Sequence, residues 1–439
     1  MLQSISDLAN KFLKESENKR IRIISHFDTD GITSASIVAS TLSKLNRHFT
    51  IKILKNLETD FLEELKIKTK EDEIILFLDL ASSHLLNLAE MKNVYILDHH
   101  EIKQDVPKNM NIINPHMFSE EEISSAGISY LFSKAISKEN KKLANLAIIG
   151  MVGDMLEQNL GKLNNEILND AQEVKIKKGL LLFGATRPLS KALEFSSSMF
   201  IPGITGNHAG ALGMLREINI DSRKTVFELD DDETSKLLTS ILLRRANTGE
   251  HNTEKIIGNL YLVKFFDKLE DARELSSLIN ACSRLGYSGV ALALCLGNKK
   301  ARKMAEKIYA SYKQELIAGI NFANNNKRIE KGYLIIDAED NIRDSIIGTV
   351  TSILASSVVY DEGTVIIGLA NSHDKVKVSI RISGRNGRDL SELANKAISD
   401  IEGEAGGHKK AAGCLIKKED KQAFLERLEK ELEIETIKV

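Results

Sequence analysis

Carboxylates and imidazoles fall in this chain where short apolar runs end. Asp28 and Asp30 follow Ile21–Ser25, with His26 two residues before the first of them. Asp79 follows Leu78, and Asp98 follows Leu97 with His99 and His100 directly behind it. Asp154 closes the apolar helical run Leu146–Val152, within Gly150-Met-Val-Gly153-Asp154. In an open parallel sheet the carboxyl ends of the strands lie along one edge, so residues far apart in sequence meet there. So many carboxylates in one place repel one another unless cations neutralise them. Two divalent ions are the simple remedy. A donor set of histidine and carboxylate without cysteine suits Mn²⁺ or Mg²⁺, and imidazole nitrogen tilts the choice toward Mn²⁺. Two such ions ~3.5–4 Å apart activate water and brace the attacking and leaving oxygens of phosphoryl transfer. A single aspartate after a strand is usually a helix cap or a turn residue, and Asp79 alone reads more readily that way. What favours a metal site is the set of five acids and three imidazoles at successive element ends.

The hydrophobic pattern shows which elements must position these groups. Ile21–Ser25, Ile74–Leu78 and Val94–Leu97 read as buried strands, each followed by helix-like sequence, which is the pattern of a parallel α/β sheet. Residues from about 160 to 325 are mostly helix-periodic, with the longest loop signal at Phe200–Gly210, where Pro202, Gly203, Gly206 and Gly210 interrupt the apolar spacing. Strand signals return in Tyr333–Asp337, Thr364–Leu369 and Lys375–Ser383, the last alternating Val376, Val378, Ile380 and Ile382 with polar residues. At 439 residues, and ~150 residues per domain, about three units are expected. These are an α/β domain over 1–180 with the metal site, a helical connector or insertion over 181–328, and a second α/β domain over 329–439.

Composition narrows the class. Hydrophobic residues at 42% and charged residues at 28% are the balance of a soluble globular protein. No run approaches ~18 uninterrupted apolar residues, which argues against a membrane span. Leu2, Ile5, Leu8, Phe12 and Leu13 sit at helical spacing among charges, unlike a signal peptide, so a cytoplasmic protein is expected. Cys282, Cys295 and Cys414 are far apart and read as small buried hydrophobes, neither a disulfide framework nor a zinc site. Lys and Arg total 60 against 62 Asp and Glu, so no global basic field is available and nucleic acid must be held by a local groove.

Together these residues resemble the DHH phosphoesterase superfamily. His26-Phe-Asp28-Thr-Asp30-Gly31 is similar to its first motif, Asp79 to its second, Asp98-His99-His100 to its third and Asp154 to its fourth. Ala405-Gly406-Gly407-His408-Lys-Lys-Ala411-Ala412-Gly413 resembles the glycine-rich signature of the DHH-associated domain, with Ala405 where a further glycine often stands. Asp271 to Gly286, including Asn280 and Arg284, is similar to a segment of archaeal RecJ-like proteins, while about 180–255 is weakly matched.

The resemblance implies that His26, Asp28 and Asp79 hold one cation and that Asp30, Asp79, His99 and Asp154 hold the other. It implies that Asp98 orients His99, and that His100 contacts the scissile phosphate and protonates the leaving oxygen. Gly406 and Gly407 would admit backbone N–H groups to a phosphate, joined by His408, Arg381 and Ser383, with the active site in a cleft between the two α/β domains. The expected activity is a 5′→3′ exonuclease on single-stranded DNA in replication or repair. An RNA exonuclease, an oligonucleotide or cyclic-dinucleotide phosphodiesterase, and a replisome scaffold that binds GINS are the alternatives. A Walker loop and a dinucleotide GxGxxG are both absent from the sequence.

Overall fold

The computed structural model describes the chain except for residues 119–120, 159, 197–200, 247–255, 358, 385 and 437–439. It divides into two compact units, Met1–Ile308 and Tyr309–Val439. In the first, branched aliphatic runs become strands because both faces of the sheet are covered. The strands are β1 (Arg20–His26), β2 (Phe49–Leu54), β3 (Glu73–Leu78), β4 (Val94–Leu97) and β5 (Asn111–Ile113), in the order β2-β1-β3-β4-β5. Every pairing is parallel. β3 and β4 are buried along their whole lengths. Ile24, Ile75, Phe77 and Ile96 pack with Leu62, Leu65, Leu85 and Leu88 on one face, while the helices Thr29–Lys44, Ser125–Ile136 and Ala144–Gly153 pack on one another. β1 leads to β2 on one side while β3 lies on the other, so the strand order reverses between β1 and β3. The crevice outside the carboxyl ends at such a switch point is where open α/β sheets bind ligands.

The region after residue 160 is largely helical, but it also contains a small antiparallel sheet that periodicity did not reveal. β6 (Lys175–Leu180), β7 (Ile257–Phe265) and β8 (Lys268–Asp271) lie in the order β6-β7-β8. β6 begins Lys-Ile-Lys-Lys, with exposed or half-buried side chains, so its sequence reads as a solvated face. The helices Leu189–Glu194, His208–Glu217 and Asp231–Ala246 share a core that includes Leu193, Met214, Leu215, Leu237 and Ile241. Of the expected loop, Phe200 lies outside the described residues. The turns end at Asn207, whose side chain caps the helix His208–Glu217 by accepting from Gly210 N–H, so Gly210 belongs to the first turn of that helix.

The second unit carries β9 (Lys327–Glu330), β10 (Tyr333–Asp337), β11 (Val365–Ser372), β12 (Lys375–Ile382), β13 (Gly403–His408) and β14 (Ala411–Lys417). Their order is β13-β14-β12-β11-β10-β9, with β10 and β11 parallel and the other pairings antiparallel. The alternation in β12 turns Val376, Val378 and Ile380 into the core, with Leu393, Phe424 and Leu428 from the covering helices. The two glycines of the β13 signature do different work. Gly407 has φ +134°, and a Cβ there would lie 2.3 Å from the Ala411 carbonyl oxygen, whereas a Cβ at Gly406 would meet nothing within 4 Å. Gly407→Ala is therefore expected to destabilise this unit by about 1–3 kcal/mol, and Gly406→Ala to leave it nearly unchanged. Denaturant midpoints of the two variants check this.

Cys282, Cys295 and Cys414 are buried free thiols. Burial pushes each of them up to about 12. Among the described residues no helix is long and apolar enough to cross a membrane.

Candidate metal centre

The turn after β1 is built by its own side chains. Asp28 caps the helix Thr29–Lys44, accepting from Gly31 N–H at 3.1 Å, and Ser25 Oγ donates to the Gly31 carbonyl at 2.7 Å. Gly31 has to be glycine, because a Cβ there would stand 2.3 Å from the His26 carbonyl oxygen. Asp28 is thus an N-cap and also faces His26, whose Nδ1 is 2.9 Å from Asp28 Oδ2 and 3.3 Å from Asp79 Oδ2. In the first turn of that helix, Asp30 is 1% exposed. It accepts from Ser125 N–H at 2.7 Å and Ala126 N–H at 2.9 Å, the first amides of the helix Ser125–Ile136, which would otherwise be unpaired.

Asp79 leaves the end of β3 with φ +58° and is 1% exposed. Its Oδ1 lies 3.4 Å from His99 Nε2, which in turn is 3.2 Å from Asp154 Oδ2 and 3.9 Å from Asp30 Oδ2. Three overlapping groups result: His26, Asp28 and Asp79; Asp30, His99 and Asp154; and Asp79, His99 and His100. In each group the donor atoms lie within 4.8 Å of one another. The six expected metal ligands therefore come together at the switch point between β1 and β3.

Asp98 does something the resemblance did not imply. Its Oδ1 accepts from His100 Nδ1 at 2.7 Å and from the His99 backbone N–H at 2.8 Å, while Oδ2 accepts from Ser82 N–H at 2.9 Å. The imidazole it orients is that of His100, and it fixes His99 through the main chain.

The electrostatics of the cluster call for positive charge. Burial and the Asp79 carboxylate push Asp30 up to about 7. Burial, Asp30 and Asp79 push Asp154 well above the usual carboxylate range. Burial acts against charge on Asp79 as well, but the His26 and His99 imidazoles hold it well below that range. Burial likewise opposes charge on the histidines, yet Asp28 and Asp79 raise His26, and Asp79 and Asp30 raise His99 to about 9. Two acceptors are left over. Asp79 Oδ1 and Asp154 Oδ2 are buried and accept no aligned hydrogen bond among the described residues, each facing His99 Nε2 only at ion-pair distance. A buried carboxylate oxygen without a donor is costly unless it serves a ligand. Orphaned oxygens on a histidine and carboxylate set fit hard or borderline divalent cations.

The other expected site residues lie in the second unit. Across the sheet His408 pairs with Ala411, and Ala411 with Arg381, so both polar residues project from one face with a small residue between them. Arg381 is held by Nε donating to Ser352 Oγ at 2.9 Å and Nη1 to the carbonyls of Ile380 and Ala412. Ser383 is buried and donates to the Tyr360 carbonyl, so its hydroxyl is engaged within the unit. Sequence reasoning missed the part played by Ser125 and Ala126. The available signal was Ser124, a capping residue that accepts from Gly127 N–H, just ahead of an apolar run.

Comparison with known proteins gives a consistent picture. The DHH family N-terminal domain matches residues 20–151, the DHHA1 domain 330–433, and the DHH-CID domain 182–257, which fills the segment that the sequence motifs left weakly matched. An uncharacterized protein of Methanocaldococcus jannaschii is 30% identical over 429 residues, covering 93% of this chain and 92% of that one. RecJ of Thermus thermophilus in complex with Mn²⁺ is similar in fold, with TM-score 0.61 at 17% identity. That likeness covers 97% of this chain and 54% of the RecJ chain, so this chain spans about half of that protein's length. CDC45 of Entamoeba histolytica is similar with TM-score 0.66 at 13% identity, over 98% of both chains.

Proposed function

The chain belongs to the DHH superfamily as a RecJ-like member, and on that footing we propose that it hydrolyses phosphodiester bonds in single-stranded nucleic acid with the aid of two divalent cations. The observation that carries this is the pair of His/Asp groups at the β1/β3 switch point, where buried Asp79 and Asp154 oxygens accept no aligned hydrogen bond. His26, Asp28 and Asp79 would hold one cation, and Asp30, Asp79, His99 and Asp154 the other, with Mn²⁺ preferred over Mg²⁺. When bound, such ions supply charge neutralisation to the phosphoryl oxygens and lower the pKa of water.

The chain's own residues do the rest. Asp98 stays a carboxylate and accepts a hydrogen bond from His100 Nδ1–H, which leaves Nε2–H to contact the scissile phosphate and to give its proton to the departing oxygen. In the second unit Arg381 and His408 would bind phosphate beside the open backbone at Gly406, while Gly407 keeps the strand in the conformation that exposes it. Arg381→Ala and His408→Ala are expected to raise KM about tenfold or more while leaving the metal content of the purified protein unchanged. Loss of bound metal in either variant would remove these residues from a substrate-binding role.

The preferred substrate is single-stranded DNA, degraded from the 5′ end. Short DNA and RNA strands labelled at each end in turn, incubated with Mn²⁺ and resolved by length, test this. Early release of the 5′ nucleotide from DNA is expected. Release of the 3′ nucleotide first would reverse the polarity, and cleavage of RNA or of a cyclic dinucleotide in preference to DNA would move the protein to another substrate of the same chemistry.

A second reading, a scaffold for a replication partner such as GINS, is favoured by the DHH-CID match over 182–257 and by the CDC45-like fold. It predicts co-elution of the chain with GINS whether or not the metal groups are intact. Failure of the two to co-elute would remove it.

A further inference from the structure

The helix Ala272–Arg284 contributes no member to the His/Asp groups, yet one of its faces reaches both turns that carry them. Arg273, Ser276 and Asn280 recur at three- and four-residue spacing and so share that face. Asn280 Oδ1 accepts from the Thr29 backbone N–H at 2.9 Å. Thr29 Oγ1 donates to the Ser276 carbonyl at 2.9 Å, and Ser276 Oγ donates to Thr29 Oγ1 at 3.1 Å. Thr29 is 1% exposed and stands between Asp28 and Asp30, which fall in different ligand groups. Its N–H belongs to the first turn of the helix Thr29–Lys44 and has no acceptor inside that helix.

The other turn is reached from the same face. Gly153, directly before Asp154, lets the three elements meet, because a Cβ there would lie 2.9 Å from Thr29 Cβ and 3.3 Å from Ser276 Oγ. Arg273 Nη2 donates to Glu157 Oε1 at 2.9 Å, three residues beyond Asp154. The N-terminal end of the helix is tied to the insertion, since Asp271 accepts from Ala185 N–H at 2.8 Å and Glu274 pairs with Arg187.

We propose that Asn280, assisted by Ser276, is a positioning residue for the metal centre. It fixes the Asp28–Asp30 turn against the Asp154 turn, so that the two ligand groups keep their mutual spacing. This inference rests on the reading of those groups as a two-cation centre. It assigns no ligand and no reacting atom to Asn280, whose effect is transmitted through the Thr29 amide. Outer partners of metal ligands commonly alter affinity about 10- to 100-fold when removed. An ordinary packing contact alters thermal stability and leaves affinity alone.

The test is a titration of metal-stripped full chain with Mn²⁺ alone, following free Mn²⁺ by its paramagnetic resonance signal, with a thermal melt of each protein alongside. Asn280→Ala removes the acceptor, Asn280→Gln moves it by one methylene, and Asn280→Asp keeps an oxygen in place for the Thr29 amide. Weakening of Mn²⁺ binding by about 10- to 100-fold is expected for the Ala and Gln variants, with wild-type strength or better for Asp. Should Ala fail to fold, Gln against Asp carries the comparison. Equal Mn²⁺ affinity in all four proteins overturns the inference, as does equal weakening in Asp and Gln. Absence of Mn²⁺ binding by wild type overturns the metal-centre reading itself, and is thereby distinguished from failure of the positioning role alone.

Discussion

Asp79→Ala is expected to abolish hydrolysis, lowering kcat by roughly 10⁴-fold or more, as loss of an indispensable catalytic group does, while the protein remains folded. Asp79 is the residue through which the groups overlap. Its Oδ2 faces His26 and its Oδ1 faces His99, so one carboxylate serves both halves of the centre. It also holds an uncommon backbone conformation, φ +58°, which a non-glycine residue adopts where the surroundings require it. Two effects on stability oppose each other. The variant loses the contacts with His26 and His99, and it relieves repulsion with Asp30 and Asp154, both of which the Asp79 carboxylate pushes up. The net shift in Tm should be a few degrees, small beside the loss of activity. A melt followed by circular dichroism, paired with an assay on labelled single strands, checks both halves. Substantial turnover by a folded Asp79→Ala protein would contradict the shared-ligand assignment.

His100→Ala is expected to lower kcat about 10²- to 10⁴-fold, the usual worth of a positioned general acid, with bound Mn²⁺ retained. Asp98 is completely buried and already accepts main-chain N–H groups from Ser82 and His99, so it is a rigid anchor for His100 Nδ1. On the proposed reading the outer nitrogen would face the leaving oxygen. The deficit should shrink sharply on a p-nitrophenyl ester of a nucleotide, whose leaving group departs without a proton. A deficit of equal size on both substrates would deny His100 the acid's part and leave it a role in binding phosphate.

How far the site was legible follows from where its residues stand. His26, Asp28, Asp30, Asp79 and His99 stand at or just after the ends of apolar strands, the strongest signal a parallel sheet gives, and Asp154 closes an apolar helix. Their convergence was therefore readable before the strand order was known. Asp98 was not, because its partner is chosen by side-chain rotation: His99 and His100 are adjacent, and the geometry gives the imidazole contact to His100. The strands that escaped notice lack the run. β2 alternates exposed and half-buried positions, β5 is three residues long, and β6 is lysine-rich and pairs with a strand about eighty residues later. Asn280 shows the same limit, since nothing local marks an asparagine on an amphipathic helix as the acceptor for an amide 251 positions away.

The most direct measurement is release of 5′-labelled nucleotide from a single-stranded DNA oligomer by metal-stripped protein, recorded against equivalents of Mn²⁺ bound per chain. The account predicts no release in excess chelator, activity that rises with added Mn²⁺, and saturation at about two ions per chain, the number a two-metal phosphoryl-transfer site uses. Undiminished release in excess chelator, or full activity from a chain that binds no Mn²⁺, would contradict it.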